Sequence, residues 1–322
     1  MVTTTDLILI TGASGFIATH IIHVFLEAGY AVRATVRAQI VPGVPKKAQL
    51  CHCPRYMAPN AFDEAVQDVT GVIHTATPFK LHVEDNERDL LQPAIDGTVN
   101  ILQSIKKLSP AVRRVIITSS FTAIRDPHQG TRPGYIYTEK DWNPVTYEEA
   151  AAKDTPGLIA YAAAKTLAER EAWKFMADKN PSFDLVTICP TMVYGPNRNA
   201  TADLTSLNTA SDLMPVNSSW SWVDARDVAL AHLRAFEVPE AGGNRFLVGK
   251  GNFSFQQMAD ILRENLAEVS GRVPGGDPGS GFGTTELYML DSSKAQNLLG
   301  ILFRKLNETI VDSVRSLLQL EH

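Results

Sequence analysis

Strand-like and helix-like stretches alternate along the first 190 residues, and this alternation restricts the possible folds more than any other feature. Apolar or β-branched runs, typical of strands, lie at 7–11, 30–37, 71–77, 112–120 and 183–190. Apolar residues at helical spacing lie between them, at 16–29, 89–108 and 157–179. Strands joined by crossover helices form a parallel sheet with helices on both faces. The sequence therefore predicts an α/β fold with a doubly wound parallel sheet.

The pattern changes after Pro190. Residues 195–221 are rich in Asn, Ser, Thr and Gly and have little periodicity. Beyond them we predict helices at 224–237, at 254–266 with Ser254 as its cap, after Asp291 and at 307–320, a strand at 244–249 and a Gly/Pro loop at 271–283. We therefore predict a sheet domain of residues 1–190, to which 223–249 returns. A smaller, irregular α+β substrate lobe would consist of 191–222 and 250–322.

The stretch "TGASGFIATH" joins the first strand to the first helix. Gly12 and Gly15 permit a tight turn, and they let backbone N–H groups approach a pyrophosphate at the start of the helix. Ala18 takes the third position of the pattern, where a small side chain lets helix and strand pack closely. A glycine pattern alone is weak, but this one follows the first strand of an alternating α/β chain. It predicts a dinucleotide site.

The segment from Tyr30 to Phe62 contains no Asp or Glu. An NAD enzyme usually has an acid at the end of the second strand, which binds the ribose 2′-hydroxyl. This window instead holds five basic residues: Arg33, Arg37, Lys46, Lys47 and Arg55. We predict that Arg37 binds the 2′-phosphate of NADP, with Arg33 as the second candidate. The alternative, a solvated basic loop, fits one or both lysines.

Several stretches together resemble one family: "TGASGFIA", "GVIHTATPF", "RVIITSS", "YTEKDWNP", "YAAAKTLAEREAW" and "CPTMVYGP". In order and spacing they are similar to the extended short-chain dehydrogenase/reductases, and within these to the dihydroflavonol reductase-like group with the fungal aldehyde, methylglyoxal and carbonyl reductases. The resemblance covers nearly the whole chain. It implies a Rossmann-like NADP-binding domain over 1–190, NADP(H) as cofactor, and reduction of a ketone or aldehyde. It places Ser120, Tyr161 and Lys165 in the catalytic positions.

Tyr161 and Lys165 lie one helical turn apart, so they share a face of the predicted helix. Carbonyl reduction needs a proton for the oxygen, and Tyr161 would donate it. With the nicotinamide oxidised, the charge on Lys165 should lower the Tyr161 pKa. Ser120 would donate a hydrogen bond to the substrate oxygen. In the alternative reading, Tyr161 is an aromatic residue between helix and loop, and Ser119 and Ser120 form a polar strand end.

The resemblance also implies the binding residues. Expected cofactor contacts are Gly12, Ser14, Gly15, Phe16, Ile17, Arg33, Arg37, Thr75, Ala76, Thr118, Tyr161, Lys165, Pro190, Met192 and Val193. Residues expected to line the substrate pocket are Phe79, Phe121, Met192 and Tyr194. Such an apolar pocket suits an uncharged ketone or aldehyde with apolar bulk.

Two other functions are compatible with this fold. A nucleotide-sugar epimerase or dehydratase has the same catalytic set, but it must hold a diphosphate, normally with basic side chains. Between residues 191 and 226 the only Lys or Arg residues are Arg198 and Arg226, which favours the reductase. The third hypothesis is an NADP-binding regulatory protein with weak catalysis. The presence of all three catalytic residue types argues against it.

Two segments, 38–54 and 198–221, are shorter than the family pattern. The family usually has an Asp beside the adenine where this chain has Arg55, followed by Tyr56. Either cation and aromatic stacking replaces the adenine contact, or cofactor binding is weakened. The shortened second segment would leave a wider substrate pocket.

A formal net charge of −5 argues against nucleic acid or an anionic membrane as a partner. No apolar stretch approaches the ~20 residues that span a bilayer, and the N-terminus lacks the basic region of a signal peptide. Three cysteines, Cys51, Cys53 and Cys189, indicate a reduced, cytoplasmic protein. Neither His20 with His23 nor "CHC" at 51–53 has enough further ligands, so we expect no metal site. We expect a monomer or a homodimer.

Overall fold

The computed structural model describes residues 6–36, 45, 47–53, 57–77, 83–198, 214, 217, 220–281 and 286–320. The strands are β1 (Leu7–Thr11), β2 (Ala31–Val36), β3 (Gln49–His52), β4 (Gly71–His74), β5 (Arg114–Thr118), β6 (Ile136–Tyr137), β7 (Asp184–Pro190), β8 (Met192–Tyr194), β9 (Ser221–Asp224), β10 (Arg245–Val248), β11 (Gly251–Asn252) and β12 (Met289–Leu290). The helices are α1 (Phe16–Glu27), α2 (Gln92–Leu108), α3 (Tyr147–Ala151), α4 (Gly157–Lys179), α5 (Ala225–Glu237), α6 (Phe255–Asn265), α7 (Ser293–Leu299) and α8 (Leu306–Leu318).

Seven strands form the main sheet, in the order β10-β7-β5-β4-β1-β2-β3. Every neighbouring pair is parallel. The strand order reverses between β1 and β4, and open sheets of this kind bind ligands in the crevice at the carboxyl ends of such strands. The predicted doubly wound parallel sheet is confirmed.

Both faces of the sheet are covered because alternate residues of a strand point to opposite sides. On one face, Ile8 and Ile10 of β1 are buried in a core that includes residues of α1 and α5. On the other face, Leu9 is buried in a core with residues of α2 and α4. The strands therefore read as continuous apolar runs, as expected for a sheet buried on both sides.

Helix α4 spans the predicted residues 157–179. It begins after Pro156 and ends at Asn180, which takes a left-handed φ of 36° and so stops the helix. Its alanines are buried: Ala163 and Ala164 belong to a cluster with Leu90 and Leu91, which precede α2. Small side chains let α4 pack closely, and this fixes where Tyr161 and Lys165 lie.

The smaller lobe contains two further sheets, one of β11-β9-β8 and one of β12-β6. Helix α6 begins at the predicted cap: Ser254 Oγ accepts from the Gln257 N–H, and Gln257 Oε1 accepts from the Ser254 N–H. Helix α7 begins at Ser293, whose N–H donates to Asp291 Oδ1 at 2.9 Å. The N-cap residue of α7 is Ser292, one residue after Asp291, which the sequence predicted as the cap.

An ion pair crosses the amino end of the sheet. Arg114 of β5 donates to Asp184 of β7, with Nε–Oδ1 at 2.7 Å and Nη2–Oδ2 at 2.8 Å. Its Nη1 donates to the carbonyl oxygens of Ala235 (2.7 Å) and Val238 (2.6 Å), at the end of α5. This amino-end pair (Arg114 and Asp184) fastens α5 to the sheet, at the opposite end from the ligand crevice.

The division into a domain of 1–190 and a lobe of 191–222 and 250–322 stays a prediction. Strand β10 lies at the edge of the main sheet beside β7.

In the parts of the chain that the structure describes, the helices are either too short or too polar to cross a membrane.

Candidate active site

Gly12 shapes the turn after β1. Its φ of +68° lies in the left-handed region, and a Cβ there would come within 3.0 Å of Ala76 Cα. The Gly12 N–H donates to Thr35 Oγ1 (3.2 Å), and the Gly15 N–H donates to Gly12 O (2.8 Å). Among the described residues, no side chain caps the N-terminus of α1 at Gly15. This geometry fits the predicted pyrophosphate site, because backbone N–H groups can bind an anion there.

Thr11 brings the end of β4 to this turn. Its Oγ1 accepts from the N–H groups of Thr75 and Ala76, both at 3.1 Å. Its own hydrogen therefore goes to His74 Nδ1, at 2.9 Å. Burial lowers the His74 pKa to about 3, so the ring is neutral and carries its proton on Nε2. The predicted contacts Thr75 and Ala76 thus lie beside the turn, where Ser14 is exposed and Phe16 and Ile17 are partly exposed.

Ser120 and Tyr161 are hydrogen-bonded to each other through their side chains. Ser120 follows β5, and its Oγ also accepts from the Thr122 N–H (3.1 Å) at the start of a 3₁₀ turn. Both side chains are partly exposed, so a substrate can reach them. Burial raises the Tyr161 pKa to about 12, and the hydrogen bond with Ser120 opposes this rise. The phenol is therefore protonated at neutral pH.

Lys165 lies one turn further along α4 and is buried. Its Nζ donates to the carbonyl oxygen of Thr118 at 2.7 Å. Burial lowers the Lys165 pKa to about 8, and the charge of Glu169 opposes this. The contribution that lowers the Tyr161 pKa here comes from Ser120. We expect Lys165 to lower the Tyr161 pKa when the nicotinamide is oxidised, and this effect stays a prediction.

Glu169 is a buried acid that sequence reasoning missed. Its Oε2 accepts from Ser119 Oγ at 2.6 Å. Its Oε1 accepts from Thr187 Oγ1 at 2.6 Å and from Arg245 Nε at 2.7 Å. We name these four residues the carboxylate cluster. Glu169 lies four residues after Lys165, a spacing that puts both on one helix face and was the available signal.

Arg245 of β10 is the basic member of the carboxylate cluster. Its Nη1 donates to the carbonyl oxygens of Glu139 (2.6 Å) and Asp141 (2.9 Å). Its guanidinium lies 3.5 Å from the centre of the Trp142 ring, within the range of a cation–π contact. The buried charges of Glu169 and Arg245 are therefore both paired and hydrogen-bonded.

A small cavity opens between the ends of β4 and β5 and the face of α4. Its lining consists of His74, Ala76, Thr77, Thr98, Ile117, Thr118, Ser119, Lys165, Ala168 and Glu169. The cavity therefore joins Ala76, beside the glycine turn, to Lys165 and the carboxylate cluster. Three predicted cofactor residues, Ala76, Thr118 and Lys165, meet there.

Thr118 acts on this site through its backbone. Its carbonyl oxygen holds Lys165, whereas its Oγ1 is hydrogen-bonded to His232 Nε2 at 2.8 Å. The other ring nitrogen, Nδ1, donates to Val228 O at 2.8 Å. Burial lowers the His232 pKa to about 4, so this imidazole is neutral. The hydroxyl of Thr118 is thus directed into the core beneath α5.

Arg33 contacts the main chain of a neighbouring segment. Its Nη1 donates to the carbonyl oxygens of Ala65 (3.0 Å) and Gln67 (2.5 Å), in the segment that leads into β4. Arg33 therefore fastens that segment to β2, and its contact with the 2′-phosphate stays a prediction. Arg37, the first candidate, lies outside the described residues, as does Arg55.

Two of the predicted pocket residues are Phe79 and Phe121. Phe121 is 4% exposed and packs against Tyr137 and Tyr288. That Phe121 lines the substrate pocket stays a prediction. Phe79 lies outside the described residues.

The predicted residues after β7 lie at the carboxyl edge of the sheet. Pro190 is buried at the end of β7, Met192 is 44% exposed, and Val193 is partly buried. The Tyr194 ring packs edge-on against Phe253, with centroids 5.4 Å apart. Their contacts with cofactor or substrate stay predictions.

The residues considered as metal ligands have other partners. His20 Nε2 is hydrogen-bonded to Pro196 O at 2.9 Å, and Cys53 Sγ donates to Ala61 O at 3.3 Å. Cys51 lies in β3, beside Cys53. Within the described ranges, no three His, Cys, Asp or Glu side chains are grouped so that they could hold a metal ion.

Comparison with known proteins identifies the family. The model of the NAD dependent epimerase/dehydratase family matches residues 8–249. Ketoreductase azaE of Aspergillus niger is 36% identical, over 97% of this chain and 97% of the relative. NADPH-dependent methylglyoxal reductase GRE2 of Saccharomyces cerevisiae is 35% identical, over 98% of both chains.

The solved structure of yeast methylglyoxal/isovaleraldehyde reductase Gre2, complexed with NADPH, is also similar. It has a TM-score of 0.87 and 34% identity, over 98% of this chain and 99% of that one. The predicted resemblance to extended short-chain dehydrogenase/reductases of the dihydroflavonol reductase-like group is confirmed. Because the family model matches well over half of its residues, the chain belongs to the NAD dependent epimerase/dehydratase family.

Proposed function

We propose that the protein is an NADPH-dependent carbonyl reductase, which converts a ketone or an aldehyde into an alcohol. The strongest support is a group of three side chains at the end of β5, beside the glycine turn: Ser120, Tyr161 and Lys165. The Aspergillus niger relative is a ketoreductase by name, and the yeast relative is an NADPH-dependent methylglyoxal reductase. The identity extends over nearly the full length of both.

The residues of the site fit NADPH. The backbone at Gly12 leaves open the space beside Ala76 that a side chain would fill, so a pyrophosphate can approach. Lys165, which faces the cavity between this turn and Ser119, would hold the nicotinamide ribose. Arg37 would bind the 2′-phosphate. When bound, NADPH supplies the hydride that adds to the carbonyl carbon.

Tyr161 donates the proton that completes the alcohol. As negative charge develops on the carbonyl oxygen, the phenol O–H transfers its proton to that atom. The Tyr161 pKa of about 12 keeps the donor protonated across the neutral range. Ser120, already hydrogen-bonded to Tyr161, donates to the same oxygen and stabilises its charge.

Lys165 supports the phenolate that remains after this transfer. The ammonium, fixed by the Thr118 carbonyl oxygen one helical turn from Tyr161, places a positive charge near the phenolate. Lys165 is buried, so this charge acts more strongly than in water. A proton then returns to Tyr161 from solvent.

The epimerase alternative is less consistent with the lobe. A sugar-nucleotide diphosphate needs cations that are available to bind it. Arg226, one of the two arginines in question, is paired with Asp224 (2.7 Å) and Asp312 (2.7 Å). This leaves the exposed Arg198 as the other candidate in that stretch. A small, uncharged carbonyl compound needs no cation in the pocket in order to bind.

A substrate panel tests the proposal. The purified protein is incubated with NADPH and aliphatic aldehydes, aryl ketones, β-keto esters, α-dicarbonyls or sugar nucleotides, and the consumption of NADPH is followed. We expect turnover with several of the first four classes. Activity confined to sugar nucleotides would favour an epimerase or dehydratase. Tight NADPH binding without any turnover would favour a regulatory protein.

A further inference from the structure

Glu169 connects the helix of the catalytic pair to three strands. Its side chain is 1% exposed, and each oxygen accepts at least one hydrogen bond of 2.6 Å. One partner, Ser119, directly precedes Ser120. The other partners, Thr187 and Arg245, lie in β7 and β10. One carboxylate therefore holds α4 against the strand end that carries Ser120.

A buried carboxylate is an unfavourable way to obtain stability. Removing two charges from water is costly, and apolar side chains of similar volume often stabilise a core equally well. Its position suggests another use, because Glu169 lies one helical turn from Lys165 and lines the same cavity. The lysine is also buried and also needs a partner for its charge.

We propose that Glu169 is a positioning residue for the catalytic set: it fixes α4 against the end of β5 and keeps the buried Lys165 in its charged form. This inference rests on the proposed function. Glu169 does not contact the reacting atoms in this account, and it acts through Ser119 and Lys165.

The charges around Lys165 support this role. Tyr161 and Glu169 face it from α4, His74 from β4, and Cys189 from β7, with Arg245 of β10 behind Glu169. His74 is neutral, and burial raises the Cys189 pKa to about 12, so this thiol is also neutral near pH 7. Among the described groups that face Lys165, Glu169 is therefore the one that carries a negative charge near pH 7. Because the arginine is paired, its effect on the lysine is partly cancelled.

Glu169→Gln tests this directly, because it keeps the shape of the side chain and removes the charge. Lys165 must be protonated for activity, so kcat/KM should fall as pH rises through its pKa of about 8. Without the carboxylate, the charged lysine is less favoured, and Arg245 is left without its counterion. We expect the alkaline limb to move to lower pH by about one unit or more, which is a loss of about fivefold at pH 8 and about tenfold above pH 9. NADPH affinity should show the same displacement.

Asp184→Asn is the matched control, because it removes the acid of the amino-end pair. It should leave the pH profile of each folded molecule unchanged. Where Glu169→Gln does not fold, Ser119→Ala decides, since it removes one hydrogen bond from the carboxylate. It should lower kcat because α4 is held less firmly against the end of β5, and it should leave the alkaline limb in place because Glu169 keeps its charge. An unchanged kcat in Ser119→Ala would overturn the positioning role.

Measuring NADPH affinity as well as turnover distinguishes a failure of the proposed function from a failure of the inference about Glu169. Absence of turnover in the unsubstituted protein would overturn the proposed function. The inference is overturned if the pH dependence of NADPH affinity and of kcat/KM is the same in Glu169→Gln as in the unsubstituted protein. It is equally overturned if Asp184→Asn displaces the profile as far as Glu169→Gln does.

Discussion

The amino-end pair and the carboxylate cluster each join an arginine of the main sheet to a carboxylate, and their surroundings differ. In the amino-end pair, Asp184 is 40% exposed, and Arg114 uses its other N–H groups on main-chain carbonyls at the end of α5. In the carboxylate cluster, Glu169 is 1% exposed and Arg245 is 9% exposed. The first pair is hydrated on its acidic side, whereas the second is dry.

This difference separates a structural contact from one that serves chemistry. The amino-end pair ties a helix end to the sheet, and water can take over part of the role of Asp184. The carboxylate cluster lies beside Lys165, where an unscreened charge can alter a neighbouring pKa. Substitutions at the two ends should therefore differ in kind: those at the carboxyl end should alter catalysis or cofactor binding, and those at the amino end only stability.

The largest effect is expected for Tyr161→Phe. Removing the phenol hydroxyl removes the proton donor, so kcat should fall by about 10²–10⁴-fold, whereas NADPH affinity should change little. Tyr30→Phe is the matched control, since Tyr30 lies just before β2 at the amino end and packs against Phe236. It should keep its full rate. Steady-state kinetics with the best substrate of the panel measures both, and near-normal turnover by Tyr161→Phe would contradict the mechanism.

The next effect concerns stability. Glu169→Gln leaves Arg245 buried without a counterion, and we expect a loss of about 3 kcal/mol in the free energy of unfolding. Asp184→Asn leaves Arg114 with its carbonyl partners, and a half-exposed acid contributes about 1 kcal/mol or less. Urea unfolding curves at one pH measure both losses. Equal losses would mean that the hydration of the two pairs has no energetic consequence.

Arg37→Glu should come third. A charge-assisted contact with the 2′-phosphate contributes about 2 kcal/mol, so NADPH affinity should fall by about 30-fold, and NADH affinity much less. Arg33→Gln is the control at a guanidinium that binds only main-chain carbonyls in the described part of the chain. It should lower stability without altering the preference between the two cofactors. Fluorescence titration gives both constants, and an equal loss for NADPH and NADH in Arg37→Glu would remove the phosphate assignment.

The smallest effect is expected for a pair of glycine substitutions. Gly12 and Gly29 both have positive φ, 68° and 92°, so alanine strains the backbone at either site by about 1 kcal/mol. At Gly12 the new Cβ would also meet Ala76, whereas nothing lies within 4 Å at Gly29. Gly12→Ala should therefore weaken NADPH binding by about tenfold, and Gly29→Ala should not. Similar affinities for the two variants would mean that the close approach at Gly12 is unimportant.

Local signals predicted much of the fold. Helix α4 covers the predicted residues 157–179, and the strands follow their apolar runs because both faces of the sheet are buried. The cap at Ser254 was also evident, because its partner lies three residues away. Features of this kind depend on neighbours in the sequence.

The parts that sequence missed depend on distant partners. Glu169 looks like a solvated charge in "KTLAER", and its partners Ser119, Thr187 and Arg245 lie 50, 18 and 76 residues away. In the same way, no local pattern reveals that Arg33 donates to the carbonyl oxygens of Ala65 and Gln67. Family resemblance gave the proposed catalytic residues Ser120, Tyr161 and Lys165, whereas the contacts around them required the tertiary structure.

The central claim is that hydride passes from NADPH to a carbonyl carbon of the substrate. The most direct measurement uses NADPH deuterated at both C4 positions, with mass spectrometry of the alcohol formed from the best panel substrate. The account predicts one carbon-bound deuterium in each product molecule. An epimerase returns hydride to the sugar from which it was taken, so added label would not appear in its product. An alcohol that contains no deuterium would contradict the claim.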